Sequence, residues 1–118
     1  SLLFRIMAVT NQYKFYGVTI STTDLTTLLT AGAAETFVLR SFRVTNNSGS
    51  NTPTISITNN AFNIESTKTL AVNTSYELFS VPVILENSTI LKAQLAGVVA
   101  DGVSIGISYL NINKDVVS

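Results

Sequence analysis

The chain has 118 residues, with seven Lys+Arg against seven Asp+Glu, so formal net charge is zero; 46% of residues are hydrophobic and only 12% charged, and mean hydropathy is +0.38. That length suits one domain with a proper core. The cations are dispersed, which excludes a phosphate-backbone groove; no run is long and apolar enough to span a bilayer, and the absence of His and Cys removes disulfides, the commonest general base and the commonest transition-metal ligand.

The first residues, "SLLFRI", precede "MAVTNQ", which has the form of an ordinary start at Met7. Residues 1–6 are then an added or upstream extension. They are too short for a signal peptide and lack its cleavage site. The alternative is a short apolar arm, Leu2, Leu3 and Phe4, that docks on a neighbouring subunit. We expect an arm over residues 1–12, one domain over 13–112 and a tail over 113–118.

From Tyr13 the apolar residues recur with period two, the mark of half-buried strands. "YKFYGVTI" puts Tyr16, Val18 and Ile20 on one face. "STTDLTTLLTAG" departs from this: Leu25, Leu28 and Leu29 have helical spacing, Ser21 with Asp24 suits a capping box, and Gly32 suits a helix end. Five threonines argue against a helix. The segment is expected to be one or two helical turns or an irregular edge strand.

"TFVLRSFRV" (Thr36 to Val44) is apolar on both faces and carries two arginines. By strict alternation, Arg40 shares a face with Val38, Phe42 and Val44, and Arg43 shares the other with Phe37 and Leu39. The arginines should therefore leave opposite faces, either each reaching water near a strand end or one buried at a subunit contact and paired with a carboxylate such as Glu35, Glu77 or Glu86. After the polar loop "NNSGSNTP" come "TISIT", "KTLAV", "YELFSVPVIL", "STILKAQL" and "VSIGISYLNI", separated by turn residues. Pro82 cannot donate to a strand ladder, so its strand should lie at an edge or be bulged. Asp101-Gly102 suits a two-residue hairpin turn. The expected fold is all-β: an antiparallel β-sandwich, jelly-roll or Ig-like, of seven to eight strands with at most one short helix.

Nothing points to catalysis. Ser-His-Asp and Cys-His sites are impossible without His and Cys. The carboxylates are widely spaced, and neither a Gly-rich phosphate loop nor an acidic calcium loop occurs, so no cofactor is expected. Three N-x-S/T sequons, at Asn46, Asn73 and Asn87, are unsurprising in a chain rich in Asn, Ser and Thr. "QYKFYG" groups Tyr13, Phe15 and Tyr16 about Lys14, either a half-exposed first strand or an aromatic platform for a sugar or cation.

"LRSFRVTN" (Leu39 to Asn46), "VPVILENST" (Val81 to Thr89) and "SYLNI" (Ser108 to Ile112) together resemble a pattern of small β-sandwich virion proteins of tailed bacteriophages. The resemblance covers about two-thirds of the chain, rests on strand and turn chemistry, and marks no catalytic residue. It implies a non-enzymatic decoration or cement protein on the outer surface of the head, bound between subunits of the major capsid protein and self-associating as a homotrimer. A neck or tail accessory protein, or a carbohydrate-binding adhesion module, is the alternative. The contact residues expected on this reading are Leu2, Leu3, Phe4, Arg40, Arg43, Asn46, Asn47 and Asn51.

Overall fold

Alternation assigns the faces. In the last strand Val103, Ile105, Ile107 and Tyr109 point inward and are buried, while Ser104, Gly106 and Ser108 point outward. The computed structural model describes residues 6–117, with side chains over 9–114. Among these it contains nine strands and no helix: β1 Ile6–Ile20, β2 Thr26–Thr30, β3 Glu35–Asn46, β4 Thr54–Asn59, β5 Phe62–Thr69, β6 Ser75–Glu77, β7 Val83–Glu86, β8 Ile90–Ala96 and β9 Val103–Val117.

The strands form two antiparallel sheets. One runs β1-β9-β3-β6, with β7 also paired to β3; the other runs β2-β8-β4-β5. With β6 and β7 counted as one interrupted strand, first pairs with last, second with second-last, third with third-last, and β4 with β5, the nested order of a jelly roll. Between the sheets lie Leu39, Phe42, Ile55, Ile57, Leu70, Leu85, Leu91, Leu95, Ile105 and Ile107, all essentially inaccessible. Each such side chain contributes about 1.5–3 kcal/mol through burial. Two tilted ring pairs, Phe37–Tyr109 at 4.9 Å and Phe42–Phe79 at 5.0 Å, add specific contacts.

The Thr/Leu-rich segment takes the second of its two expected forms: it is β2, an irregular edge strand, and not a helix. A register break between Thr27 and Leu29 lets adjacent Leu28 and Leu29 both face inward, which is what gave them helical spacing. "YELFSVPVIL" is two strands, β6 and β7, interrupted at 78–82; Pro82 lies in the gap, just before an edge strand. Asp101-Gly102 does not close a hairpin, because β8 and β9 belong to different sheets. A two-residue turn cannot cross the ~10 Å between layers. Instead Gly102 N–H donates to Val99 O at 2.9 Å, and its φ of +88° suits glycine, whose missing Cβ would stand 2.8 Å from Thr19 Cγ2.

The described parts of the expected arm and tail, residues 6–12 and 113–117, belong to β1 and β9. β1 and β9 pair along their whole lengths, Ile6 with Val117 through Ile20 with Val103. β3 stops at Glu35, opposite Asn113. Residues 6–9 and 114–117 therefore form a two-stranded ribbon past the end of the sandwich, and the molecule is elongated, 69 × 23 × 23 Å. Leu2, Leu3 and Phe4 lie outside the described residues.

The "NNSGSNTP" loop is held by one buried amide. Asn46 Nδ2 donates to the carbonyls of Asn51, Leu70 and Ala71 at 2.9–3.1 Å, and Asn46 Oδ1 accepts from Ser48 N–H at 3.0 Å. Ser48 Oγ, also buried, accepts from the N–H groups of Ser50 and Asn51. Replacing Asn46 by Ala strips partners from several interior carbonyls. We expect Asn46→Ala to lower unfolding free energy by about 2–3 kcal/mol in a denaturant titration, whereas exposed Asn47→Ala should change it by roughly 0.5 kcal/mol or less.

Candidate functional site

The outer face of the five-stranded sheet gathers the residues that burial and loop-holding leave unused. Its organising feature is a bulge in β3. Leu39 pairs with Tyr109 and Ser41 with Ser108, so Arg40 is the extra residue and shares Ser108's position with Ser41. Alternation restarts one step late. Phe37 and Leu39 are buried before the bulge, Phe42 and Val44 after it. This overturns the expectation that the arginines leave opposite faces. Both are exposed; Arg40 lies with Tyr13, Phe15 and Ser108 around one shallow depression of about 550 Å³, and Arg43 lies with Phe15, Ser41 and Ser108 around another of about 520 Å³.

Glu77 fastens the bulge. Its carboxylate accepts from Ser41 Oγ, from Phe42 N–H at 2.7 Å and from Phe79 N–H at 3.3 Å, while Leu78 N–H donates to Phe42 O at 2.9 Å. Arg43 is its direct cross-strand partner. Burial raises the pKa of Glu77, but the three hydrogen bonds and the charge of Arg43 outweigh it, so the net shift is downward. Of the three carboxylates expected as partners for Arg40 or Arg43, Glu77 lies directly opposite Arg43, within the same chain.

Phe15 occupies the centre of this face. It spans Gly17 and Gly106, which are cross-strand partners. A Cβ on Gly17 would stand 2.9 Å from Phe15 Cε2, and one on Gly106 would stand 3.0 Å from Phe15 Cζ. The ring covers bare backbone and still remains 71% exposed. Beside it an apolar row crosses the sheet: Ile84 pairs with Val38, Val38 with Leu110, and Leu110 with Tyr13. Its ends are open, Ile84 at 54% and Tyr13 at 77% exposure. Tyr13 and Phe15 were visible in the sequence as "QYKFYG". Ile84, Val38 and Leu110 join them only through register.

The remaining polar groups hold structure. Glu35 Oε2 accepts from Asn111 Nδ2 at 3.1 Å and Oε1 accepts from Gly32 N–H at 3.0 Å. Burial, and then the charge of Glu35, raise the pKa of the Tyr109 phenol. Among the described residues no group of three or more Asp, Glu, His or Cys side chains gathers to hold a metal. Asn46 is 1% exposed with its amide fully engaged, so it is a fastening of the loop and presents nothing to a partner. Asn51 is half-buried and gives its carbonyl to Asn46; Asn47 is exposed and donates to Ser104 Oγ at 2.9 Å. The other two sequon asparagines, Asn73 and Asn87, have φ of +48° and +53°, turn positions that asparagine tolerates.

The depressed pKa of Glu77 fixes the sign of a pH effect. The ionised carboxylate stabilises the fold above the ordinary value of 4.5, and that stabilisation is lost as pH falls through the lower folded-state pKa. Glu77→Gln should therefore be less stable than the parent near neutral pH, and the two melting curves should converge in acid below that carboxylate range.

No family model matches the chain, and no curated protein matches it. Among solved structures it is similar in fold to one described in the words "Bacillus endospore appendages form a novel family of disulfide-linked pili". The TM-score is 0.51 at 10% sequence identity, covering 92% of this chain and 89% of that one. That neighbour is a pilus-type structural protein, and the fold shared with it is all-β.

Proposed function

We propose that the chain is a non-enzymatic structural subunit that works by packing against other protein subunits, copies of itself first, in a large ordered assembly. The observation that carries this reading is the outer sheet face: exposed Ile84, Tyr13 and Phe15 beside Arg40, on a chain only 12% charged. Contiguous apolar patches on a surface mark interaction sites, and tyrosine and arginine are enriched where interfaces concentrate their binding energy. The pili named for the structural neighbour support a filament of copies as the form of the assembly. These 118 residues contain no cysteine, so the disulfide linkage of those pili has no counterpart in them.

A second reading is favoured by the strand and turn motifs of Leu39 to Asn46, Val81 to Thr89 and Ser108 to Ile112. On it the chain decorates a tailed-phage head, or sits at its neck or tail, and the same face meets the major capsid protein.

Light scattering over a concentration series, with electron microscopy of the product, tests the common claim. Multi-copy species should form, and Ile84→Ser should weaken them while changing monomer stability by roughly 0.5 kcal/mol or less. Filaments from the chain alone favour the appendage form; small oligomers that attach to phage shells favour the decoration form. A chain that is monomeric at every concentration and binds no shell contradicts both.

A further inference from the structure

Four strand edges bound the two sheets, and three are blunted. β2 has five residues and a register break. β5 pairs through two irregularities and contains Thr67 at φ +60°. β6 and β7 have three and four residues and are separated by a gap holding Pro82. These are the means by which proteins keep sheet edges from pairing with other chains. β1 has none of them. It is 15 residues long, pairs with β9 without a break, and contains no proline and one charged residue, Lys14.

We propose that β1 is a dimerisation edge: two copies pair β1 to β1, antiparallel, about a two-fold axis through Tyr13, and so merge their five-stranded sheets into one. The inference rests on the reading that copies assemble, and it names the surface and the partner. Three observations select a second copy. An antiparallel strand is its own complement across a two-fold axis, so an unblunted edge on a molecule whose other edges are blunted finds its best match in itself. Tyr16 and Val18, which point inward next to this edge, are only half-buried, and an added strand extends the sheet over them. Among the described residues, the ribbon of 6–9 and 114–117 has no third strand beside it, and a lone two-stranded ribbon is marginal in water.

The register follows from overlap. Tyr13 is the midpoint of Ile6–Ile20, so full overlap places Tyr13 opposite its counterpart. Lys14 then faces Gln12, Phe15 faces Asn11, and Gly17 faces Val9. Lysine does not meet lysine, which centring on Lys14 would force at a cost. Exposed Val9 meets a residue without a side chain. The ribbon of each copy lies along residues 17–20 of the other, where the sandwich is complete. The row Ile84–Val38–Leu110–Tyr13 runs on through the second tyrosine into its own mirror sequence, one band across both sheets.

The absence of cysteine makes the test direct. Residues facing each other across antiparallel strands have Cα atoms about 4.5–5.5 Å apart, inside the range a disulfide spans. Full-length Tyr13→Cys should cross-link to itself under mild oxidation, much faster than Thr30→Cys on the β2 edge. In sedimentation equilibrium, Tyr13→Lys should raise the dissociation constant about tenfold or more by setting like charges face to face, with an unchanged circular dichroism spectrum. If copies assemble but Tyr13→Lys assembles like the parent, and Tyr13→Cys cross-links no faster than Thr30→Cys, the β1 edge is the wrong surface and the assembly reading stands. If the parent chain is monomeric at every concentration, both fall.

Discussion

The step between Leu39 and Phe42 is the constraint on which the rest of this structure turns. A strand offers its neighbours every second residue. β3 must nevertheless bury Phe37 and Leu39 against one part of the core and Phe42 and Val44 against another. Those four residues are spaced two, three and two apart, and only an extra residue in the middle reconciles them. Arg40 is that residue. Its side chain emerges beside Ser41 on the outer face, Arg43 follows on the same face, and Glu77 ties down the bulged backbone from the neighbouring strand. Core packing and surface chemistry are thus set by one irregularity.

The outer face gains its character from what surrounds that bulge. Gly17 and Gly106 remove two side chains from the middle of a long antiparallel pair, and Phe15 lies across the space they leave. The ring is held by backbone below and is open above. Ile84, Val38, Leu110 and Tyr13 come from four different strands and meet in one row because of register alone. In a chain with few charges, this face has little cost of desolvation to resist a protein partner, and β1 places its open end at a sheet edge. An apolar face and a free edge that share a strand argue together for association with copies.

Much of the fold was legible in the residues. Period-two patterning located the strands, Leu91, Ala93 and Leu95 against Ile90, Lys92 and Gln94 being a clear case, and Pro82 marked a break at an edge. The irregular places were harder. Leu28 and Leu29 are adjacent and both buried, a bulge that imitates a helical stripe. The two-three-two spacing in β3 carried the signal of its bulge, but strict alternation hid it and sent the arginines to opposite faces. Asp101-Gly102 has hairpin chemistry, yet the connection crosses between sheets, a fact of topology that no dipeptide encodes. The candidate face was legible only in part: Tyr13, Phe15 and the arginines stood out, whereas Ile84 and Leu110 belong to it through pairings between residues far apart in sequence. Asn46 looked like a surface loop residue, and only burial revealed it as the loop's fastening.

The central claim is that the outer face of the five-stranded sheet, with β1 at its margin, is buried between copies. Amide hydrogen exchange followed by mass spectrometry, on the intact chain at low and at high concentration, tests it most directly. Protection that rises with concentration in peptides covering residues 9–20 and 83–86, with little change over β5, is the predicted result. Exchange in those two segments that stays the same while larger species form would contradict it.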